Sequence, residues 1–522
     1  MEFLKHNITR IILLLAFLSA GIFGFYSLSD YNNNSASAAT QIESRSSIGD
    51  EMNRGPGTSN HNRPEGQFNR QNSDQHMPPS GTGGPRGSSS EDAQYAPLSA
   101  AYALGFLLLA TLVCYLFRKK KIQVSFKYSR VLIFALFGTG LLLRYYLAIS
   151  VTGHPFDLNL FKNWASSASN NLLQFYSHTR CDYPPLYIYV LALIGKIAAL
   201  PSLNSYYILI LKLPSMLADL ATSYLIYRLA RKRLSLEISL LLGAFYMFNP
   251  AVLINSSMWG QVDSFFTLII VSSLYLLSEE KIGWSSVLFA AAVLMKPQGI
   301  VFLPVLFFEL LRQKNIKKII MAAVCGLGAA LVIIMPFSWH EGALWIFKLF
   351  SGTLAEYPYA SVNAFNLFGL LGANYKNDAS TLLLFSYHSW GMIFIVLITA
   401  LAGLIYLKGK SPRFAYATAL LLIAGVFVFS ARMHERYLFP AAALSILAFI
   451  YLQDKRLLWL SAGFSSTIFI NTHSVFFATV AGNNNLSSSP ALIFTAILNL
   501  ILFIYLVKVL YDIAKSKDGL VQ

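Results

Sequence analysis

An all-α protein threaded repeatedly through a membrane is what this sequence predicts, on three observations. Of its 522 residues, 55% are hydrophobic and only 12% are charged, whereas charged residues make up about a quarter of an ordinary soluble chain. The apolar residues gather into long runs that recur along most of the length, in place of the short half-polar periods of a soluble core. A bilayer interior offers backbone groups no water, so such runs take the form of helices, which satisfy their own hydrogen bonds.

The chain is basic, with 40 Lys+Arg against 24 Asp+Glu and a formal net charge of +16. Basic chains often bind nucleic acid, but the distribution argues otherwise. From Asp30 to Asp92 runs a hydrophilic stretch rich in Asn, Ser, Gly and Pro, with five Arg, eight acidic residues and no Leu. Its composition predicts a disordered loop of net charge −3. The hydrophobic remainder keeps 35 basic and 16 acidic residues, and its cations mark the cytoplasmic ends of spans, so no nucleic-acid partner is expected. Cys114, Cys181 and Cys325 form no CxxC pair and no metal-ligand spacing, so neither a disulfide framework nor a metal site is expected.

The positive-inside rule orders the elements. Residues 1–29 hold a transmembrane or signal-anchor helix, its apolar run from Ile11 to Leu28 following Lys5 and Arg10. Cleavage near Ala36-Ser37-Ala38 would leave the next segment on the same side. Residues 30–96 form the extracytoplasmic loop, and 97–121 a second transmembrane helix closed by the basic turn Arg118-Lys119-Lys120-Lys121. The domain over 122–511 follows, with a cytoplasmic tail over 512–522. Its first span, about 131–151, exits outward.

The apolar run from Leu186 to Leu200 is 15 residues long and bracketed by Pro184-Pro185 and Pro201, short of the ~20 residues that cross a bilayer. Counting it as a span would place Arg228, Arg231, Lys232 and Arg233 outside. An interfacial or re-entrant helix in the first large outer loop fits better. Spans then follow at about 206–229, 235–253, 262–278, 283–295, 298–311, 316–336, 388–407, 413–430, 437–452, 457–471 and 490–511. The result is about 12 core transmembrane helices plus two extra N-terminal ones.

The same walk places five unusual polar clusters at outer ends of spans: Gly153-His154-Pro155-Phe156-Asp157, Cys181-Asp182-Tyr183-Pro184-Pro185, Trp259-Gly260-Gln261-Val262-Asp263-Ser264, Lys296-Pro297-Gln298 and Met433-His434-Glu435-Arg436-Tyr437. Ionisable groups in or near spans are costly and point to function. Their convergence on one interface suits polar chemistry on a lipid-borne substrate.

Asp157 precedes an amphipathic pattern, where it is either a general base or the N-cap of a helix. Asp182 stands before Tyr-Pro-Pro and reads equally as a turn or cap residue. Arg144, two turns inside its span, needs an anion, either an acidic side chain or a phosphate. Asp263 at a span mouth binds sugar hydroxyls or pairs with a cation. Lys296 lies at a helix-breaking proline, where it is a phosphate ligand or snorkels to the headgroups. Arg436 is the preferred anion ligand, because its planar fork matches a phosphate. On a regular helix His434, Glu435 and Arg436 would point about 100° apart, and Arg432 would pair with Glu435. Lys212 and Asp219 share a face but stand two turns apart, so their partners must come from other helices. The aromatic residues are chiefly interface belts and packing, although Trp164, Tyr183, Trp259 and Tyr357 are placed to line a sugar site.

From about residue 130 to 511 the chain resembles the GT-C superfamily of integral membrane glycosyltransferases, especially bacterial proteins similar to the second mannosyltransferase of GPI-anchor assembly. The residues that carry the likeness are GHPFDLNLFKNWA (153–165), DYPPLYIYV (182–190), KLPSMLADL (212–220), WGQVDS (259–264), MKPQG (295–299) and MHERYLFP (433–440). The resemblance implies a GT-C-like helical bundle in the cell membrane, with its active site on the extracytoplasmic face. It implies inverting transfer of a hexose, mannose by the likeness, from a polyprenyl-phosphate-linked donor to a lipid, glycan or protein acceptor. No cofactor is expected. The family's acidic base in the first outer loop corresponds to Asp157. Arg436, His434, Lys296 and Arg144 are then the candidate ligands of the donor phosphate. Asp182, Tyr183, Trp259, Gln261, Asp263, Gln298 and Glu435 are candidates for contact with substrate. No nucleotide-binding loop is present.

The main competing reading is a transporter or flippase of lipid-linked sugars, which would favour internal repeats and ionisable groups at mid-membrane. No repeat is evident, and the polar clusters lie at one interface. A catalytically inactive structural or sensor protein with sugar-binding residues would share the same pattern.

Overall fold

The computed structural model describes residues 92–120, 129–483, 485–487 and 489–516. The helix expected over 1–29, most of the 30–96 loop and the end of the 512–522 tail lie outside the described residues. Each span expected from residue 98 onward falls on helix, and the chain is an all-α polytopic membrane protein. Among the described residues seven helices are long and apolar enough to cross a membrane, or eight if the bent pair Leu236–Met247 and Pro250–Trp259 is one span. Several of the other expected spans are shorter helices, including Asp263–Ser278, Ile282–Val293 and Ala441–Leu452. The long helices turn apolar surface outward: Val324, Leu327, Leu331, Val332 and Met335 of the Ile316–Ser338 helix are all largely exposed. Such a surface belongs against lipid. The Ala415–Phe429 and Ala441–Leu452 helices, by contrast, are buried almost throughout.

The expected interfacial element is a pair of helices, Pro155–Asn170 and Pro185–Ala198, packed against each other. Gly195 permits the close crossing, since a Cβ there would run into the backbone of Ala165.

Opposite ends of the bundle differ in character. The Asp263–Ser278 helix, at 1.5 Å per residue, spans about 24 Å. Beyond its C-terminus Glu279 pairs with Lys232 at 3.1 Å, Glu280 with Lys318 at 3.1 Å, and Arg233 lies over the Tyr451 ring at 4.5 Å. Those cations come from the basic turns. The motif residues gather around its N-terminus.

Two departures from regular helix carry motif residues inward. The span expected over 235–253 bends by 40° after Met247. Asn249 caps the second half by accepting from Ala251 N at 3.0 Å, and Pro250 needs no donor there. That half continues as a π-helical turn, Ile254–Trp259, ended by Gly260 at φ 86°. Such a π-turn rotates its side chains away from the regular helical face. The second departure lies between the spans ending near 336 and starting near 388, where residues 360–366 are non-helical yet buried. Non-helical backbone survives at that depth only when protein satisfies it. Asn471 accepts from Phe365 N at 2.9 Å and donates to Asn363 O at 2.8 Å, while Asn499 donates to Phe365 O at 2.9 Å. The Arg456–Val480 helix therefore keeps Asn471 and Thr472 in a buried middle turn.

Arg144 and Asp219 pair at 3.0 Å, both fully buried, and Ser256 Oγ donates to the same carboxylate oxygen at 2.6 Å. Of the two anions considered for Arg144, an acidic side chain or a phosphate, the fold supplies the first, at a fully buried position. Breaking a buried pair from one side strands a charge, at a cost of about 3–5 kcal/mol. Asp219→Leu is expected to lower thermal stability in detergent by that order, and Arg144→Met added to it to recover most of the loss. A single variant as stable as the parent would contradict this.

Candidate active site

The loop after the 131–151 span is fixed from two sides. Lys212 Nζ donates to Ala148 O at 3.2 Å and Val151 O at 2.7 Å, closing the end of the Ser129–Ser150 helix. Asp92 accepts from Thr152 N at 3.1 Å and Gly153 N at 3.4 Å. Gly153 has φ 110°, and a Cβ there would stand 3.0 Å from Trp259 O. This lets His154 N donate to that carbonyl at 3.1 Å. His154 then caps the Pro155–Asn170 helix, its Nδ1 accepting from Asp157 N at 3.3 Å, with Pro155 in the first turn. The N-cap role weighed for Asp157 thus falls to His154, and the Asp157 carboxylate is left to face inward. Asp182 is not a side-chain cap either: the cap of Pro185–Ala198 is Pro184.

Asp157 is held by Trp259. The indole Nε1 donates to Asp157 Oδ2 at 2.7 Å, and Gln261 Nε2 donates to the same oxygen at 2.5 Å. The His154 ring stacks on the indole with centroids 4.7 Å apart and planes 8° from parallel. The Arg436 guanidinium carbon lies 5.6 Å from the Trp259 ring. One indole therefore touches a carboxylate, an imidazole and a guanidinium.

Cations occupy the adjoining part of the cluster. Lys296 Nζ bonds to Asp263 Oδ1, while Asp263 Oδ2 accepts from Asn255 Nδ2 at 3.0 Å and lies 3.9 Å from Arg436 Nε. Arg436 Nη1 bonds to Glu435, and its Nε is buried without a hydrogen-bond acceptor among the described residues. The Lys296 ammonium is 5.6 Å from the Tyr183 ring. Among the candidates, Asp157, Tyr183, Trp259, Gln261, Asp263, Lys296, Glu435 and Arg436 join through these contacts. Gln298 lies in the 3-10 turn after Lys296, its Nε2 buried without an acceptor.

The helix expected to begin at 437 begins at Ala441, and residues 430–440 are turns. The helical-wheel argument that separated His434, Glu435 and Arg436 does not apply there. This segment is threaded against the buried 360–366 backbone, with Val362 N donating to Met433 O at 3.0 Å. Arg432, at φ 61°, bonds to Asp378 at 2.6 Å and Leu354 O at 2.5 Å, so it is not the partner of Glu435. His154, Asn255 and Asn471 complete the arrangement. Of these, sequence quoted only His154, without giving it a role, and two lone asparagines inside apolar helices carry no spacing signal.

The electrostatics separate the site's carboxyls. Burial alone would raise Asp157, but the charges of His154 and Arg436 and the hydrogen bonds from Trp259 and Gln261 hold it down at about 2. Burial and the charge of Glu356 push Asp182 up to about 6. Burial, helped by Arg436, drives His434 down to about 3, so its ring is neutral at neutral pH in this arrangement. Burial lowers Lys296, with Asp263 opposing. Arg436 stays protonated, its carboxylate neighbours outweighing burial.

A carboxyl depressed in the folded state stabilises above its unfolded pKa of about 3.9, and that contribution is lost as pH falls through the folded value. Asp157→Asn should therefore flatten the stability profile between about pH 4 and pH 2, removing about 2–3 kcal/mol of pH dependence. Parallel profiles for variant and parent would show that Asp157 is not so held.

No curated protein matches the chain. The family whose model does match is glycosyltransferase family 87, over residues 182–431, a stretch that contains Trp259, Gln261, Asp263 and Lys296 and stops short of Asp157 and Arg436. The match does not single out the GPI-anchor second mannosyltransferase. Set in a bundle of membrane-spanning helices, the match over residues 182–431 supports a membrane glycosyltransferase, and the GT-C type expected from the motifs is consistent with it.

Proposed function

We propose that the protein transfers a hexose, mannose by resemblance, from a polyprenyl-phosphate-linked donor to an acceptor hydroxyl on the extracytoplasmic side of the cell membrane, with inversion. The observation that carries the reading is the shared neighbour Trp259, which brings a carboxylate and a guanidinium to one place. Asp157 Oδ2 is taken up by two donors, which leaves Oδ1 to receive the acceptor's proton. The acceptor oxygen attacks the anomeric carbon as the bond from that carbon to the phosphate oxygen breaks. By analogy with glycoside hydrolysis, the transition state has oxocarbenium character.

The departing polyprenyl phosphate keeps the bonding electron pair. Arg436 stabilises that growing charge, and its buried Nε is a donor with no acceptor among the described residues. Lys296 adds positive charge, though Asp263 already engages it. Tyr183 and Tyr357 offer apolar ring faces to the sugar, Trp259, its ring already packed by His154, Arg436 and Phe476, acts through Asp157, and Gln298, Asp182 and Glu435 offer polar contacts. The extracytoplasmic placement rests on the basic turns, which lie at the far end of the same helices. The transfer chemistry named here calls on no cofactor, and membrane lipid is the surrounding partner.

In purified protein Asp157→Asn should lower kcat by about 10²–10⁴-fold, the usual contribution of a general base, with donor binding retained. Arg436→Gln should lower transfer by about 10²–10³-fold, as loss of one charge-stabilising donor does. Wild-type transfer by Asp157→Asn would overturn the assigned base. Movement of a lipid-linked sugar across vesicles with no transfer would favour a flippase instead.

A further inference from the structure

Besides Trp259 and Gln261, Asp157 is held by a group that is not among the candidates drawn from sequence. His154 Nδ1 lies 3.3 Å from Asp157 N, as acceptor, and 3.4 Å from Asp157 Oδ2. An imidazole nitrogen can accept from the first only while it carries no proton. With a proton it would turn donor, lose the amide and pair with the carboxylate. The ring has little freedom to avoid the choice: its backbone N–H is tied to Trp259 O at 3.1 Å and its face lies on the Trp259 indole.

We propose that His154 is the positioning residue for Asp157, its unprotonated Nδ1 fixing the first turn of the Pro155–Asn170 helix so that the carboxylate stays available, and its protonation withdrawing that carboxylate into an ion pair. The proposal rests on the reading of Asp157 as base. The charged groups facing the ring are Asp157 from its own helix and Arg436 from the 430–440 turn. Burial and Arg436 lower its pKa below the ordinary histidine value against the pull of Asp157, which keeps Nδ1 free at neutral pH. As pH falls the imidazole takes up a proton, so transfer should decline on the acid side. Asp157, held at about 2, and His434, at about 3, titrate too low to cause that decline above pH 4. Asp182, at about 6, and Glu435, raised by burial, are other groups that would, and neither is removed by changing His154.

Two variants separate the functions of the ring. Asn accepts at an N-cap about as well as any residue and does not titrate. His154→Asn should keep kcat at neutral pH within about threefold and lose the acid limb. His154→Phe keeps a ring on Trp259 but no acceptor, and should lose about 10–100-fold in kcat with the KM for donor little changed, as a displaced catalytic group does. Asp182→Asn should leave the acid limb where it is. An acid limb unchanged in His154→Asn, or abolished in Asp182→Asn, would overturn the proposal, and so would wild-type kcat in His154→Phe. If His154→Phe does not fold, the His154→Asn profile still decides.

A readout independent of turnover keeps the two readings apart. A protonated imidazole stacked on an indole quenches its fluorescence. Tryptophan emission in the wild type should fall through an acid transition that His154→Asn lacks. Absence of that transition in the wild type overturns the role of His154 even if the protein transfers sugar. Its presence in a protein that transfers nothing overturns the proposed activity alone.

Discussion

The site depends on one hydrogen bond, from the indole of Trp259 to the carboxylate of Asp157. The two residues come from different parts of the bundle, one at the start of an interfacial helix and the other at the end of a bent, π-turned span. Joining them requires Gly153 and Gly260 in left-handed conformations, where other residues rarely sit and where a Cβ would meet neighbouring atoms. The same indole carries His154 and Arg436, so displacing it would disturb the proposed base, its support and the proposed anion ligand together.

The other buried cations each meet a partner inside the bundle. Arg144 is answered by Asp219, Lys212 by two backbone carbonyls, and Lys296 by Asp263. Each of these cations would be costly at membrane depth without its partner. Arg436 has one nitrogen engaged by Glu435 and another buried without an acceptor among the described residues; Arg144 Nη2 is likewise without one, but Arg436 stands in the cluster with Asp157, Trp259 and Lys296. In the proposed transfer an anionic leaving group would supply what the Arg436 nitrogen lacks. The held 360–366 segment serves the same end: its asparagine contacts stiffen backbone against which the Met433–Arg436 turn is laid.

Much was legible in the primary structure because lipid imposes a simple code. Apolar runs become helices, and the basic turns collect at the ends of helices opposite the motifs. The 15-residue run after Pro184-Pro185 was too short to span and is a short helix packed against Pro155–Asn170. Residues in five motifs were expected together, and the fold joins members of all five. What misled was assuming regular helix where the chain turns. Residues 430–440 are not helical, so the angles expected between His434, Glu435 and Arg436 do not hold, and Arg432 reaches Asp378.

The sequence by itself determined that the chain spans a membrane, where its helices fall and which polar segments stand apart from them, because composition and hydrophobic run length follow directly from residue identity. Only the tertiary structure decided which polar groups answer one another. Arg144 met a carboxylate, Asp157 met an indole and an amide from a hundred residues away, and Asn471 met a backbone with no helix partners. The physical reason is that a buried charge or amide demands a partner without specifying which one. That choice is made by the bends that bring distant segments within hydrogen-bond reach, and such bends depend on packing across the whole bundle.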